Sequence, residues 1–106
     1  NPTQVIKICD LILSTKVPQK PNNHLERIIC DADLDYLGRK DFLSISSNFY
    51  EELKGYGVVK NKNHWDEIQI KFLQAHHFFT EYSINKRSIL KKKHLEFIKD
   101  RVLKNK

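Results

Sequence analysis

The chain has 106 residues, 40% hydrophobic and 30% charged, with only three Gly and three Pro, a globular profile that excludes fibrous and disordered classes and allows one core without staples. Its formal net charge of +6 belongs to one end: residues 1–83 hold ten Lys/Arg against eleven Asp/Glu, and residues 84–106 hold nine against two. Cys9 and Cys30 have no CxxC or Cys/His ligand spacing, no apolar run spans a bilayer and no signal peptide opens the sequence; the expected setting is reduced and cytoplasmic, with no membrane contact.

Pro2 suits a first helical position, and Val5, Ile8, Cys9 and Ile12 recur at helical spacing, so a first helix is expected over Pro2–Ser14. Pro18, Pro21 and two Asn make Thr15–Asn23 a loop. Asn23 with Glu26 three residues on has the form of a capping box. It opens a second helix whose core stripe reads Leu25, Ile28, Ile29, Ala32 and Tyr36, with Gly38 as its stop.

Asp41 is placed to cap a third helix with Phe42, Ile45, Phe49 and Leu53 inside, ending near Gly55 and Gly57. Asn63 is placed to cap a fourth, lined by Trp65, Ile68, Phe72, Ala75 and Phe79. Thr80 restarts the chain into a long last helix, kinked near Ser83–Ser88, whose inner face reads Ile84, Lys91, Leu95, Ile98 and Val102. No β-branched alternation competes. The expected fold is all-α, a single domain over residues 1–106 built as an irregular bundle of about five helices.

One segment stands apart: Asp31-Ala32-Asp33-Leu34-Asp35 places three carboxylates in the most apolar helix of the chain. On a wheel of about 100° per residue with Leu25 at zero, Asp33 lies on the shoulder of the stripe between Ile29 and Leu37, and Asp31 and Asp35 lie on its other side. Asp33 is therefore the carboxylate expected to be drawn inward. Burying it costs several kcal/mol unless it is paired or binds a metal. The structural explanation is a salt bridge to Arg27, Arg39 or Lys16, or a cap on another helix.

The run Ala32-Asp33-Leu34 followed by Leu37-Gly38 resembles the closing motif of the HD superfamily of metal-dependent phosphohydrolases. The flanks, from Ile12–Pro18 through Asp31–Arg39 and Asp41-Phe42 to Phe72-Leu73, His76, Phe79-Thr80, Arg87 and Lys91, resemble one bacterial branch of it. The resemblance covers nearly the whole chain. It implies an HD-like fold, a divalent metal such as Mn, Fe or Mg in the complete domain, and a nucleotide or other phosphate ester as substrate. It makes Asp33 the metal-ligating aspartate, and Lys16 and Arg39 contacts to substrate phosphate, although an ion pair with Asp31 or Asp35 suits Lys16 or Arg39 equally well.

The family's histidine and His-Asp pair have no counterpart here, since no His-Asp dipeptide occurs. In the family they precede this motif, so the chain, which begins at Asn1, resembles the C-terminal part of a larger HD-type domain. One carboxylate cannot fix a metal, and no catalytic residue and no tightly bound cofactor are expected in this chain alone.

The other candidates read more simply as structure. His76 and His77 point about 100° apart on a helix and cannot grip one metal; His76 belongs beside the apolar stripe and His77 in solvent. His24 lacks HExxH spacing, His64 reads as exposed, and Ser14-Thr15-Lys16 has no glycine to form a phosphate loop. Cys9 and Cys30 read as core. Lys91, beside the inner stripe, is expected to snorkel or to meet a carboxylate. The basic last helix suits an acidic partner, and the competing function is a non-catalytic helical regulatory or interaction module associated with a signalling protein.

Overall fold

A computed structural model describes residues 20–105, and every regular element among them is helical. The elements are α1 (His24–Asp33), a 3-10 turn (Asp35–Gly38), α2 (Phe42–Gly55), α3 (Lys62–Ala75) and α4 (Glu81–Lys104). The expected helix Pro2–Ser14, with Cys9 and Lys16, lies outside the described residues. Four α-helices and one 3-10 turn thus stand where the sequence predicts four of its five helices. No helix is long and apolar enough to cross a membrane among the described residues.

Local chemistry explains the helix starts. Asn23 Oδ1 accepts from Glu26 N at 2.8 Å, and the Glu26 carboxylate accepts in return from Asn23 Nδ2 at 2.9 Å and Asn22 N at 3.1 Å. That exchange satisfies N–H groups that the first turn leaves without partners. Thr80 caps α4 through Ser83 N at 3.2 Å. At α3 the cap is Asn61 rather than Asn63: Asn61 adopts extended backbone and accepts from His64 N at 2.9 Å. Asn63 then falls within the first turn and bonds Glu67. Asp41 precedes α2 but makes no side-chain cap, because its carboxylate is taken by Arg39. Beyond α2, Gly57 has φ +76°, the left-handed conformation that suits glycine at a helix exit.

The core lies where the 3-10 turn wedges between α2 and α4 and where α3 crosses α4. Leu34, Leu37, Phe42, Trp65 and Ile98 have almost no exposed surface, and each contributes roughly 1.5–3 kcal/mol of burial. Tyr36 stacks on Phe42 and meets Phe49 edge-on. Polar groups are threaded through this core in one chain. Trp65 Nε1 donates to Ser46 Oγ at 3.3 Å, Ser46 Oγ donates to Gln69 Oε1, and Gln69 Nε2 donates to Asp66 Oδ1 at 3.2 Å. Arg101 of α4 closes it with two bonds of 2.7 Å to the fully buried Asp66 carboxylate.

Four expectations need correction. The helix expected to run on to Gly38 ends at Asp33, where Leu34 (φ −113°, ψ 16°) turns the chain into the 3-10 segment. The stripe on α1 is not core: Leu25, Ile28 and Ile29 are 65%, 45% and 51% exposed, and Ala32 is exposed with them. Tyr36 of that stripe is buried, but only because it sits beyond the break. α1 thus turns its polar side to the body and its apolar side outward. In α4 the helix runs unbroken through 83–88, and Ile84 points outward at the end nearest α1.

Candidate functional site

The break after Asp33 sends the three carboxylates to three different environments. Asp31, on the inner side of α1, is buried and reaches the start of α4. Its Oδ1 accepts from Phe79 N at 2.9 Å, and its Oδ2 accepts from Thr80 N at 2.8 Å and Thr80 Oγ1 at 2.7 Å. A carboxylate so placed also faces the positive end of the α4 macrodipole. Asp35, in the 3-10 turn, accepts from Arg87 Nε at 2.7 Å and pairs more loosely with Arg39 at 3.5 Å.

Asp33 lies between them and is half-buried, with no hydrogen bond or ion pair among the described residues. The expectation that Asp33 is the carboxylate drawn inward therefore passes to Asp31, and the salt bridge expected for it forms at Asp35 instead. The reason is orientation: the apolar stripe that Asp33 borders faces out, so the buried side of α1 is the one bearing Asp31.

Two hollows flank this segment. A cleft of about 590 Å³ runs between α1 and the start of α4, walled by Ile28, Ala32, Thr80, Tyr82 and Arg87, with the bonded Asp31 and Asp35 at its base. Its outer rim continues into the exposed apolar face of α1. A second hollow of about 560 Å³ lies on the other side of Arg87, where Arg39 and Lys40 meet Lys86 and Arg87 beside Leu90. Arg39, expected at a substrate phosphate, sits in this basic hollow and bonds Asp41 at 3.1 Å. Lys16 lies outside the described residues.

The histidine readings divide. His77 is exposed and packs edge-on to Phe79. His64, expected in solvent, is half-buried, and its Nδ1 accepts from Lys60 N at 3.1 Å. His94 stacks on Phe42 and places Nδ1 2.9 Å from the Leu37 carbonyl, a role that periodicity alone did not suggest. His76 is 5% exposed between Phe72 and Phe78, and neither ring nitrogen has a hydrogen-bond partner among the described residues. Burial, then the neighbouring Lys91 and His77 charges, lower its pKa from 6.5 to about 3.

Lys91 donates to the His76 carbonyl rather than to a carboxylate, and lies over the Phe78 ring at 5.7 Å. Burial lowers its pKa from 10.5 to about 8. Cys30 is half-buried rather than core, and burial followed by Asp33, Asp31 and Glu26 raises its thiol pKa, which keeps it protonated and unreactive.

No three His, Cys, Asp or Glu side chains converge as a metal site among the described residues. Asp33 offers one carboxylate, which does not by itself fit a divalent metal, and no hydrolytic step follows from these residues. The chain matches no family model, no curated protein and no solved structure. The feature that sequence reasoning missed is the division of labour among the three aspartates. Its signal was the Thr80-Glu81 helix start, which needs an acceptor for the N–H groups before it, but nothing in the chain said that Asp31 supplies it.

Proposed function

We propose that the chain supplies the aspartate-bearing helix of an HD-type metal-dependent phosphohydrolase acting on a nucleotide or other phosphate ester, and that it hydrolyses nothing alone. The observation that carries this reading is Asp33. Its two neighbours are consumed by the fold, at Thr80 and at Arg87, whereas Asp33 is half-buried beside exposed apolar residues and bonds nothing among the described residues. A half-buried carboxylate with no protein partner among the described residues keeps its oxygens open to a cation. The outward apolar face of α1 supports the same reading, since Leu25, Ile28 and Ile29 suit packing against further helices that would bring the missing ligands to Asp33.

The apolar face also supports a second reading, a non-catalytic helical interaction module that docks a partner on α1 and an acidic surface on the basic α4. Elemental analysis separates the two. Bound divalent metal is measured in the full-length polypeptide that carries this chain and in its Asp33→Ala form. About one metal or more per chain, lost in Asp33→Ala, supports the enzyme reading. No metal in either form, even when manganese or iron is supplied, overturns it and leaves the interaction module.

A further inference from the structure

The basic hollow is built by backbone contact between two elements. Gly38 is buried, and a Cβ added there would run into the carbonyl oxygen of Arg87. No other residue type lets the end of the 3-10 turn lie so close to α4. Because the two backbones touch, Arg39 and Lys40 emerge directly beside Lys86 and Arg87, and four cations line a hollow of about 560 Å³ together with one carboxylate, that of Asp41. The hollow is shallow and open to solvent, so it suits a small charged group rather than a molecule that must be enclosed.

The carboxylates nearby do not neutralise this ring. Asp35 and Asp41 are the acidic partners of the two arginines, and neither Lys40 nor Lys86 has an ion pair among the described residues. Four positive charges against two negative leave an excess of two. Asp35 grips Arg87 through Nε alone, so the terminal nitrogens of Arg87 make no bond among the described residues. Arg39 is held at 3.1 and 3.4 Å by Asp41 and at 3.5 Å by Asp35, longer contacts at a more exposed place. Guanidinium forks with spare donors suit a phosphate, and lysines add point charge without geometric demand. Leu90 gives the hollow one apolar wall for the group that the phosphate carries.

We propose that this hollow between the 3-10 turn and α4 binds a small phosphate monoester, its dianionic phosphate held by Arg39, Lys40, Lys86 and Arg87 and its organic part against Leu90. Asp33 is not among the lining residues, and binding here requires no metal. The site shares Arg39 with the phosphate contact that the resemblance implies, but its test is independent of Asp33 and of metal.

The test is calorimetric titration of the metal-free chain with adenosine 5′-monophosphate and, separately, with inorganic phosphate. Saturable binding of the monophosphate is expected, several-fold tighter than that of inorganic phosphate. The double variant Lys40→Ala/Lys86→Ala removes two exposed side chains and is expected to weaken binding about tenfold or more, with helix content unchanged by circular dichroism. Lys92→Ala/Lys93→Ala removes the same charge from α4 outside the hollow and is expected to change affinity less than about twofold. Equal losses in the two double variants would mean attraction to net charge alone and overturn the site. So would the absence of saturable binding at about 10 mM ligand, a very weak affinity. Equal affinity for the ester and inorganic phosphate would overturn the assignment of the ester. Each of these failures leaves Asp33 as a metal ligand untouched, and loss of the metal reading leaves this site standing.

Discussion

Asp31 and Thr80, 49 positions apart, form a closed cap: one carboxylate oxygen accepts from the threonine's backbone N–H at 2.8 Å and from its hydroxyl at 2.7 Å. The same hydroxyl caps Ser83 N, so α1 holds the start of α4 through a single side chain. A buried carboxylate with three donors is among the stronger polar interactions a small domain makes.

Asp31→Ala leaves the partly buried Phe79 and Thr80 N–H groups without their acceptor and should destabilise the fold by about 2–4 kcal/mol. In a domain of this size that is a fall of roughly 10–25 °C in Tm, read by thermal unfolding. Asp33→Asn should change stability by less than about 0.5 kcal/mol, because no partner is lost among the described residues. Similar losses in the two variants would show that the aspartates do not divide their roles as described.

Gly38→Ala should cost about 1–3 kcal/mol. The added methyl meets the backbone of Arg87, which has no rotamer to change, so the 3-10 turn must move away from α4. Chemical denaturation measures the loss, and a neutral substitution would mean that the two backbones separate freely.

Arg101→Ala strands a fully buried Asp66 carboxylate whose remaining hydrogen bond among the described residues is the one from Gln69. Breaking a buried pair from one side costs roughly 3–5 kcal/mol. Removing both partners in Asp66→Leu/Arg101→Met should recover much of that loss, a non-additivity that a double-mutant cycle reads directly.

His76 gives the fold a pH dependence. Its folded pKa of about 3 lies below its ordinary 6.5, so the unfolded chain binds the extra proton over that interval. The associated stability is complete above pH 6.5 and is lost as pH falls from there towards 3. His76→Phe removes two ring nitrogens without partners and keeps the stacking volume. Equilibrium unfolding between pH 7 and 4 should show a flatter decline in the variant, and an unchanged slope would contradict the assignment.

Helix positions were legible where the deciding chemistry is local. Asn23 with Glu26, Thr80 before Glu81, and the apolar spacing of Phe42, Phe49 and Leu53 all act within a turn or two, and they do what their spacing suggests. Asn61 was missed because two asparagines two residues apart both satisfy the capping pattern, and only backbone conformation chooses between them. The wheel of α1 grouped Leu25, Ile28, Ile29 and Ala32 correctly on one face. It had no means of saying whether that face is covered, and the inference that Asp33 points inward failed with it. Asp35 with Arg87 and Asp66 with Arg101 bridge 52 and 35 positions, distances over which charge pattern along the chain carries no pairing information.

Asp31 and Asp35 are taken up by the fold, and we propose that Asp33 is kept for a ligand. The most direct measurement is metal content and Tm, taken together, in the full-length polypeptide and its Asp33→Asn and Asp31→Asn forms. Asp33→Asn should lose metal while its metal-free Tm matches that of the parent within a few degrees, and Asp31→Asn should lower the metal-free Tm. Retention of metal by Asp33→Asn, or a metal-free Tm that falls as far as in Asp31→Asn, would contradict it.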